Sequence, residues 1–226
     1  MNLGDHVGDV VKHVVQNRVL LHEATGARPV FLTQVHGTHV VEHGPYGERA
    51  SDLPQKADAC LTRQLGVACT IMVADCLPVL LTNRQGTVVG AAHAGWRGLA
   101  GLRGSGVLET VCQRFGEHAA QDILAWLGPC IGPLKFEVGD EVRAVFVAHD
   151  SAAQALFKPL GAGKWLADLA GLARLRLRAV GVNNIYGNDG GPAWCTVSNA
   201  SRFFSHRRDA VALGGSGRMA ACIWRG

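Results

Sequence analysis

An α+β fold is predicted for this chain of 226 residues by three observations. Short apolar runs rich in β-branched residues, bounded by Gly, Asn or Pro, read as strands. Apolar residues spaced three and four apart mark helices at the start, the centre and the later third. The two kinds of segment do not alternate regularly, which argues against a doubly wound α/β sheet. The expectation is a mixed β-sheet core flanked by helices. It forms a single domain over residues 1–226, since no linker, repeat or low-complexity block divides the chain.

Val7, Val10, Val11, Val14, Val15 and Leu21 give an opening amphipathic helix that ends near Gly26. Strands are expected at 30–35, 40–41, 59–61, 68–73, 79–81 and 88–92. Asn83-Arg84-Gln85-Gly86 between two of them has the composition of a hairpin turn. After Gly95 the pattern is helical from Arg97 to about Arg114. A strand at 123–127 runs into the loop Gly128-Pro129-Cys130-Ile131-Gly132-Pro133. Helices are expected at 139–148 and 166–180, a closing strand at 219–224, and surface loops at 151–160 and 213–217.

Composition narrows the function classes. Apolar residues make up 48% of the chain and charged ones 18%, which excludes disorder and coiled coil. Net charge is +4 with the basic residues scattered, so the stripe or arm of a nucleic-acid binder is missing and a small anionic ligand suits the chain at least as well. Seven cysteines, an odd number with none in a CxxC pair, argue against a secreted disulfide framework. Acids and His in the first fifteen residues do not fit a signal peptide, and Asp75 and Pro78 interrupt the most apolar stretch, so no membrane span is expected. A cytoplasmic location follows from these readings.

His36, Cys76 and His93 each stand where an apolar strand runs out into a turn. Neighbouring strand ends can converge, and two imidazoles with a thiolate make a zinc set that leaves a fourth position open. A hydrogen-bonded His and a packed Cys are the plainer alternatives, and Cys60, Cys69 and Cys112 take that core reading. Asp75 interrupts an apolar run and could orient His36 or His93, act as an acid/base, or cap a turn. Arg97 opens the helix after Gly95-Trp96 and either binds an anion or packs on Trp96. Arg207 and Arg208, beside Phe203-Phe204, could clamp a phosphate or be ordinary surface arginines.

Longer motifs occur in a fixed order: Thr33-Gln34-Val35-His36-Gly37, Ala57-Asp58-Ala59 and Val73-Ala74-Asp75-Cys76-Leu77-Pro78-Val79, then Ala92-His93-Ala94-Gly95-Trp96-Arg97-Gly98 and Leu127-Gly128-Pro129-Cys130-Ile131-Gly132-Pro133. Phe136-Glu137-Val138-Gly139, Phe203-Phe204-Ser205-His206-Arg207-Arg208-Asp209 and Gly217-Arg218-Met219-Ala220 complete the set. Together they closely resemble the laccase-domain family, also labelled polyphenol oxidase or peptidoglycan editing factor, from Asn2-Leu3-Gly4 to Ile223-Trp224. The resemblance implies a zinc site of His36, Cys76 and His93, and a single α+β domain distantly like a toxin cysteine deamidase. It also implies purine nucleoside metabolism: phosphorolysis of adenosine, inosine, guanosine and methylthioadenosine, with phosphate as co-substrate, and deamination of adenosine. On that reading Cys76 and Asp75 are catalytic, Asp75 as proton carrier, and Arg97, with Arg18 or Arg207, binds phosphate. The chain departs from the family pattern in two places. Met1 stands where the family has the first Leu of LNLG, after a Gly-Gly-Val-Ser-like turn, and the stretch Gly101-Leu102-Arg103-Gly104-Ser105-Gly106-Val107 is longer and richer in glycine.

Three other readings come from different classes. A Cys76–His93 pair could make a cysteine amidase acting on cell-wall peptides, because Cys–His is the minimal activated-thiol unit. A copper oxidase would need closely spaced His pairs, and His36-Gly37-Thr38-His39 is the nearest thing to one. A partner-binding role without catalysis is the last. The expected partners are a small nucleoside and phosphate, with no nucleic acid and no membrane, and the sequence leaves oligomeric state open.

Overall fold

The computed structural model describes residues 1–44, 54–102, 104–116 and 120–226. Helix α1 (Val11–Thr25) closes on Gly26, whose φ of 65° is the left-handed conformation that glycine adopts at least cost. Of the residues whose spacing marked this helix only Val14 is buried, and Val10, Val11 and Val15 face solvent. The period located the helix, then, without its apolar face finding a core.

Strands β1 (Arg28–Val30), β2 (Val40–His43), β3 (Ala59–Thr62), β4 (Val67–Val73), β5 (Leu77–Asn83) and β6 (Val89–Ala94) match the expected runs, with one exception. The run at 30–35 leaves the sheet after Val30, and beyond it Thr33 makes an isolated bridge to Lys56. The hairpin turn at 83–86 forms as expected, with the Gly86 N–H on the Asn83 carbonyl at 2.9 Å.

The single helix expected from Arg97 is two, α2 (Trp96–Ala100) and α3 (Val107–Gln113). Glycine separates them: Gly101 has φ 65°, and a Cβ there would lie 2.0 Å from the Ser105 carbonyl oxygen. Arg103, in the same stretch, lies outside the described residues. The remaining elements are β7 (Ile123–Leu127), β8 (Glu137–Gly139), α4 (Asp140–His149), β9 (Phe157–Gly161), β10 (Lys164–Ala167), α5 (Leu169–Ala179), β11 (Asn184–Gly187), α6 (His206–Leu213) and β12 (Met219–Ile223). The 151–160 segment read as a surface loop instead carries a 3₁₀ turn and most of β9. Helix α5 starts later than expected because residues 164–167 pair as β10. Its N-cap is Asp168, whose carboxylate accepts the Gly171 N–H at 2.8 Å.

Six strands form the main sheet in the order β11-β7-β5-β6-β3-β2, with parallel pairs at both edges and antiparallel pairs between. A second sheet, β1-β4-β12, lies against β3, β5 and β6, and Cys60, Cys69, Ile71, Val73 and Ala91 pack between the two. The larger core, which includes Leu99, Leu108, Phe115 and Leu172, fills the other face of the main sheet beneath α2, α3 and α5. The expected α+β architecture is therefore present. Among the described residues no helix is long and apolar enough to cross a membrane.

A buried ion pair ties this helical layer together. Arg176 of α5 donates from Nε to Glu109 of α3 at 2.6 Å and from Nη2 to the Gly104 carbonyl at 2.7 Å. The other Glu109 oxygen accepts the Gly106 N–H at 2.8 Å, satisfying a donor at the start of α3. Arg176→Ala is expected to lower unfolding stability by about 3–5 kcal/mol, because Glu109 would be left buried and unpaired. Denaturant titration measures this, and a loss below about 1 kcal/mol would show the carboxylate re-solvated at little cost.

Candidate metal centre and its cavity

The three strand-end residues do converge. The ligand atoms of His36, Cys76 and His93 lie within 4.8 Å of one another, and His36 Nε2 is 3.7 Å from Cys76 Sγ. Roughly 3.6 Å is the N···S edge of a tetrahedron built on zinc–ligand bonds near 2.1 and 2.3 Å, so the donor types and the His36–Cys76 spacing suit a small tetrahedral ion. Cys76 comes from the turn before β5, His93 from β6 and His36 from the loop after β1.

Asp58, just before β3 and fully buried, aligns two of these ligands. Its Oδ1 accepts the His36 N–H at 2.8 Å and meets His93 Nδ1 at 2.8 Å. Its Oδ2 accepts the N–H groups of Gly37 at 2.7 Å and Val35 at 3.1 Å. One carboxylate thus gathers three successive backbone donors of the 35–37 loop, where His36 sits at φ 59°, a conformation non-glycine residues seldom adopt. With Nδ1 bound to the carboxylate, His93 is left with Nε2 for a metal, the orientation that carboxylate–histidine pairs give to metal sites. Burial alone would push the Asp58 carboxyl up, but hydrogen bonds from His93 and the loop hold it below the usual range.

Two glycines make room for the cluster. A Cβ on Gly95 would lie 2.9 Å from His36 Cδ2 and 3.0 Å from Cys76 Sγ, and one on Gly98 would lie 2.7 Å from the Gly37 carbonyl. The Gly-Trp-Arg-Gly spacing at the start of α2 therefore lets that helix come close to the ligands.

The site forms one wall of a cavity of about 400 Å³. Asp75, Arg97 and Arg207 line it as expected, together with His6, Gln34, Phe136, His206 and Arg218. Arg97 stacks over Trp96 at 4.5 Å, the packing alternative, and also lines the cavity. Arg207 lies 5.9 Å over Phe136 and donates to the Glu137 carbonyl at 3.2 Å. Arg18 is not part of this wall. Its Nε bonds the Leu3 carbonyl at 3.0 Å, Asp5 lies 3.2 Å from Nη2, and the guanidinium packs on Phe31, so the neighbours of α1 hold it elsewhere. Arg208 is likewise committed to the Thr196, Val197 and Phe203 carbonyls and to Asp209, and is no phosphate clamp.

Asp75 takes the orienting kind of role, with a different partner from the histidines. Its carboxylate accepts the Thr196 hydroxyl on Oδ1, and on Oδ2 the Ser205 hydroxyl at 3.0 Å and the Arg207 N–H at 2.6 Å. At φ 86° its backbone is strained, while its carbonyl accepts the Ile131 N–H at 2.9 Å. Carrying a proton would mean breaking this network, which binds the turn before β5 to the start of α6.

Sequence reasoning gave no role to Asp58, Arg218 or His206. Asp58 had a usable signal, a lone acid between two alanines at a strand start, much as Asp75 interrupts its own apolar run. Arg218 is set by long-range contacts with no local signature. The Asn2 side-chain oxygen accepts its N–H at 2.7 Å, its carbonyl accepts the Leu3 N–H at 2.9 Å, and a Cβ on Gly4 would meet its Cγ at 2.8 Å.

Charge in the cluster sets the pH range of metal binding. Burial pushes the Cys76 thiol up, but hydrogen bonds and charge from His36 and His93 outweigh it and lower the thiol to about 6. Burial pushes His93 down, but Asp58 and the Cys76 thiolate outweigh it and raise the imidazole to about 9. The raised His93 value stabilises the metal-free fold below its ordinary value of 6.5, and that contribution fades as pH rises through 9. The lowered Cys76 value stabilises above 9.0 and fades as pH falls through 6. A metal needs the thiolate and a neutral imidazole, so binding between these values releases one proton, from His93. Log affinity for zinc should rise by about one per pH unit towards pH 9 and more steeply below pH 6, where the thiol too is protonated. Competition with a chromophoric chelator measures this, and a flat profile above pH 6 would show His93 already neutral.

Relatives place the chain. Purine nucleoside phosphorylase YfiH of Escherichia coli is 47% identical over 228 residues, covering 99% of this chain and 86% of that protein. Purine nucleoside phosphorylase PA4543 of Pseudomonas aeruginosa is 46% identical, again over 99% of this chain and 85% of that protein. The crystal structure of Neisseria meningitidis protein NMB0706 superposes with a TM-score of 0.88 at 43% identity, over 100% of this chain and 86% of the other. YlmD from Geobacillus stearothermophilus superposes with a TM-score of 0.84 at 33% identity, over 99% and 84%. The family described as multi-copper polyphenol oxidoreductase laccase matches residues 1–226 in full, and the chain belongs to that family.

Proposed function

We propose that this protein is a purine nucleoside phosphorylase that uses zinc held by His36, Cys76 and His93. The observation that carries the reading is a three-ligand metal group opening onto a cavity of about 400 Å³ that three arginines also line. Relatives of 46–47% identity bear the phosphorylase name. Zinc at this site would supply Lewis-acid polarisation of a substrate atom at its open fourth position.

The chain's own residues supply the rest. Arg97, Arg207 and Arg218 present guanidinium donors to phosphate, the charge and geometry that oxyanions take. Phe136 and Trp96 offer flat apolar walls for a purine. Phosphate attacks C1′ as the bond to the purine breaks, and the fixed cations stabilise the charge it carries. Adenosine, inosine, guanosine and methylthioadenosine are the proposed substrates, with adenosine deamination as a second activity of the same cavity.

Chromatography of adenosine incubated with the protein, with and without phosphate, tests this. Adenine formed only with phosphate supports phosphorolysis, and inosine formed without it supports deamination. No product from a folded, zinc-loaded sample would overturn the reading.

One observation favours the cysteine amidase as a second reading. The Cys76 thiol is lowered to about 6 beside two imidazoles, the setting of an activated nucleophile. One equivalent of tightly held zinc in the active protein would count against it, because the metal occupies the attacking sulfur. For copper oxidase chemistry, the described residues hold one group of three donors close enough to share an ion, where a multicopper cluster needs several.

A further inference from the structure

We propose that His206 is the proton donor to the departing purine, an assignment that rests on the phosphorolysis reading above. The side chain lines the cavity from the first position of α6. Its backbone is fixed on both sides, because the Asp75 carboxylate accepts the Ser205 hydroxyl and the Arg207 N–H. The ring itself makes no hydrogen bond or ion pair with another described residue. An anchored backbone thus carries an uncommitted imidazole at the mouth of the site, where solvent can restore its proton.

Elimination among the other cavity groups points the same way. His36, Cys76 and His93 are the metal donors, and His93 also bonds Asp58. Asp75 already accepts three hydrogen bonds. Arginine keeps its proton under working conditions and can bind an anion but not protonate a leaving group. His6, on the segment before α1, is exposed like His206 but is paired with Asp5 at 3.4 Å. His206 is the remaining imidazole of the wall, the side-chain type suited to proton transfer.

The step balances. A phosphate oxygen forms the new bond to C1′ as the C1′–N9 bond breaks, and its electron pair passes into the purine ring. The His206 imidazolium gives its proton to N7, so a neutral base leaves, and neutral His206 is recharged by water.

The test compares inosine with 7-methylinosine, whose ring is already cationic and leaves as a neutral base without gaining a proton. For His206→Asn and His206→Ala, kcat/KM on inosine is expected to fall by about 100-fold or more, the usual share of a general acid. On 7-methylinosine it should stay within about threefold of the unsubstituted protein, a result that also shows fold and metal intact. Equal losses on both substrates would overturn the assignment while leaving phosphorolysis standing. Turnover of neither substrate by the unsubstituted protein would refute phosphorolysis itself, and the assignment with it.

Discussion

Cys76→Ala is expected to lose its metal and its turnover together. The thiolate is one of three donors, and the two imidazoles left, one on the loop after β1 and one on β6, hold zinc far more weakly than the set of three. Metal analysis after gel filtration should fall from about one ion per chain to near zero, with turnover down by at least ~10³-fold. The fold should persist, since Cys76 stands at the cavity wall and its removal leaves His93 and Asp58 paired at 2.8 Å. Unchanged circular dichroism with no zinc and no product is the expected result. Full activity in a zinc-free Cys76→Ala protein would sink the metal mechanism.

The second large effect belongs to a residue that touches neither metal nor substrate. Asp58→Ala removes the acceptor shared by the Val35, His36 and Gly37 N–H groups and by His93. Stability should fall by about 3–5 kcal/mol, as when one member of a buried charged network is removed. Asp58→Asn separates alignment from folding. The amide fills the same space, but its NH₂ must face donors, because both carboxylate oxygens accept hydrogen bonds. Zinc affinity should then drop by about 10–100-fold, the usual cost of losing the group that orients a metal-binding histidine. Chelator competition and denaturant titration on one preparation report both quantities. Wild-type zinc affinity in Asp58→Asn would show that the loop and β6 align the ligands without the carboxylate.

The convergence of His36, Cys76 and His93 was legible in the sequence because each follows an apolar run, and two of those runs become strands β4 and β6, although the run before His36 leaves the sheet after Val30. The arginines were not equally legible. Arg18 and Arg207 stood as alternatives beside Arg97, yet Phe31 and Asp5 hold Arg18 away from the cavity while the other two line it. That difference comes from packing between distant segments, which composition does not encode. The small strands β8 to β11 escaped for a related reason. They run three to five residues, and β9 carries Pro159 and four successive exposed positions, so the alternation that marks a strand is absent. The break between α2 and α3 had a visible cue in the glycines at 101, 104 and 106, but helical spacing on both sides outweighed it.

Arg218 is set in place by Asn2 and Leu3, so a late segment of the chain completes a cavity whose candidate metal donors all lie within the first 93 residues. On a ribosome these parts emerge at different times. At typical elongation rates the 125 residues from His93 to Arg218 take roughly 6 to 25 s to be made. During that interval His36, Cys76 and His93 have been made and Arg218 has not. In each molecule the three candidate donors therefore exist before the cavity wall that Arg218 completes.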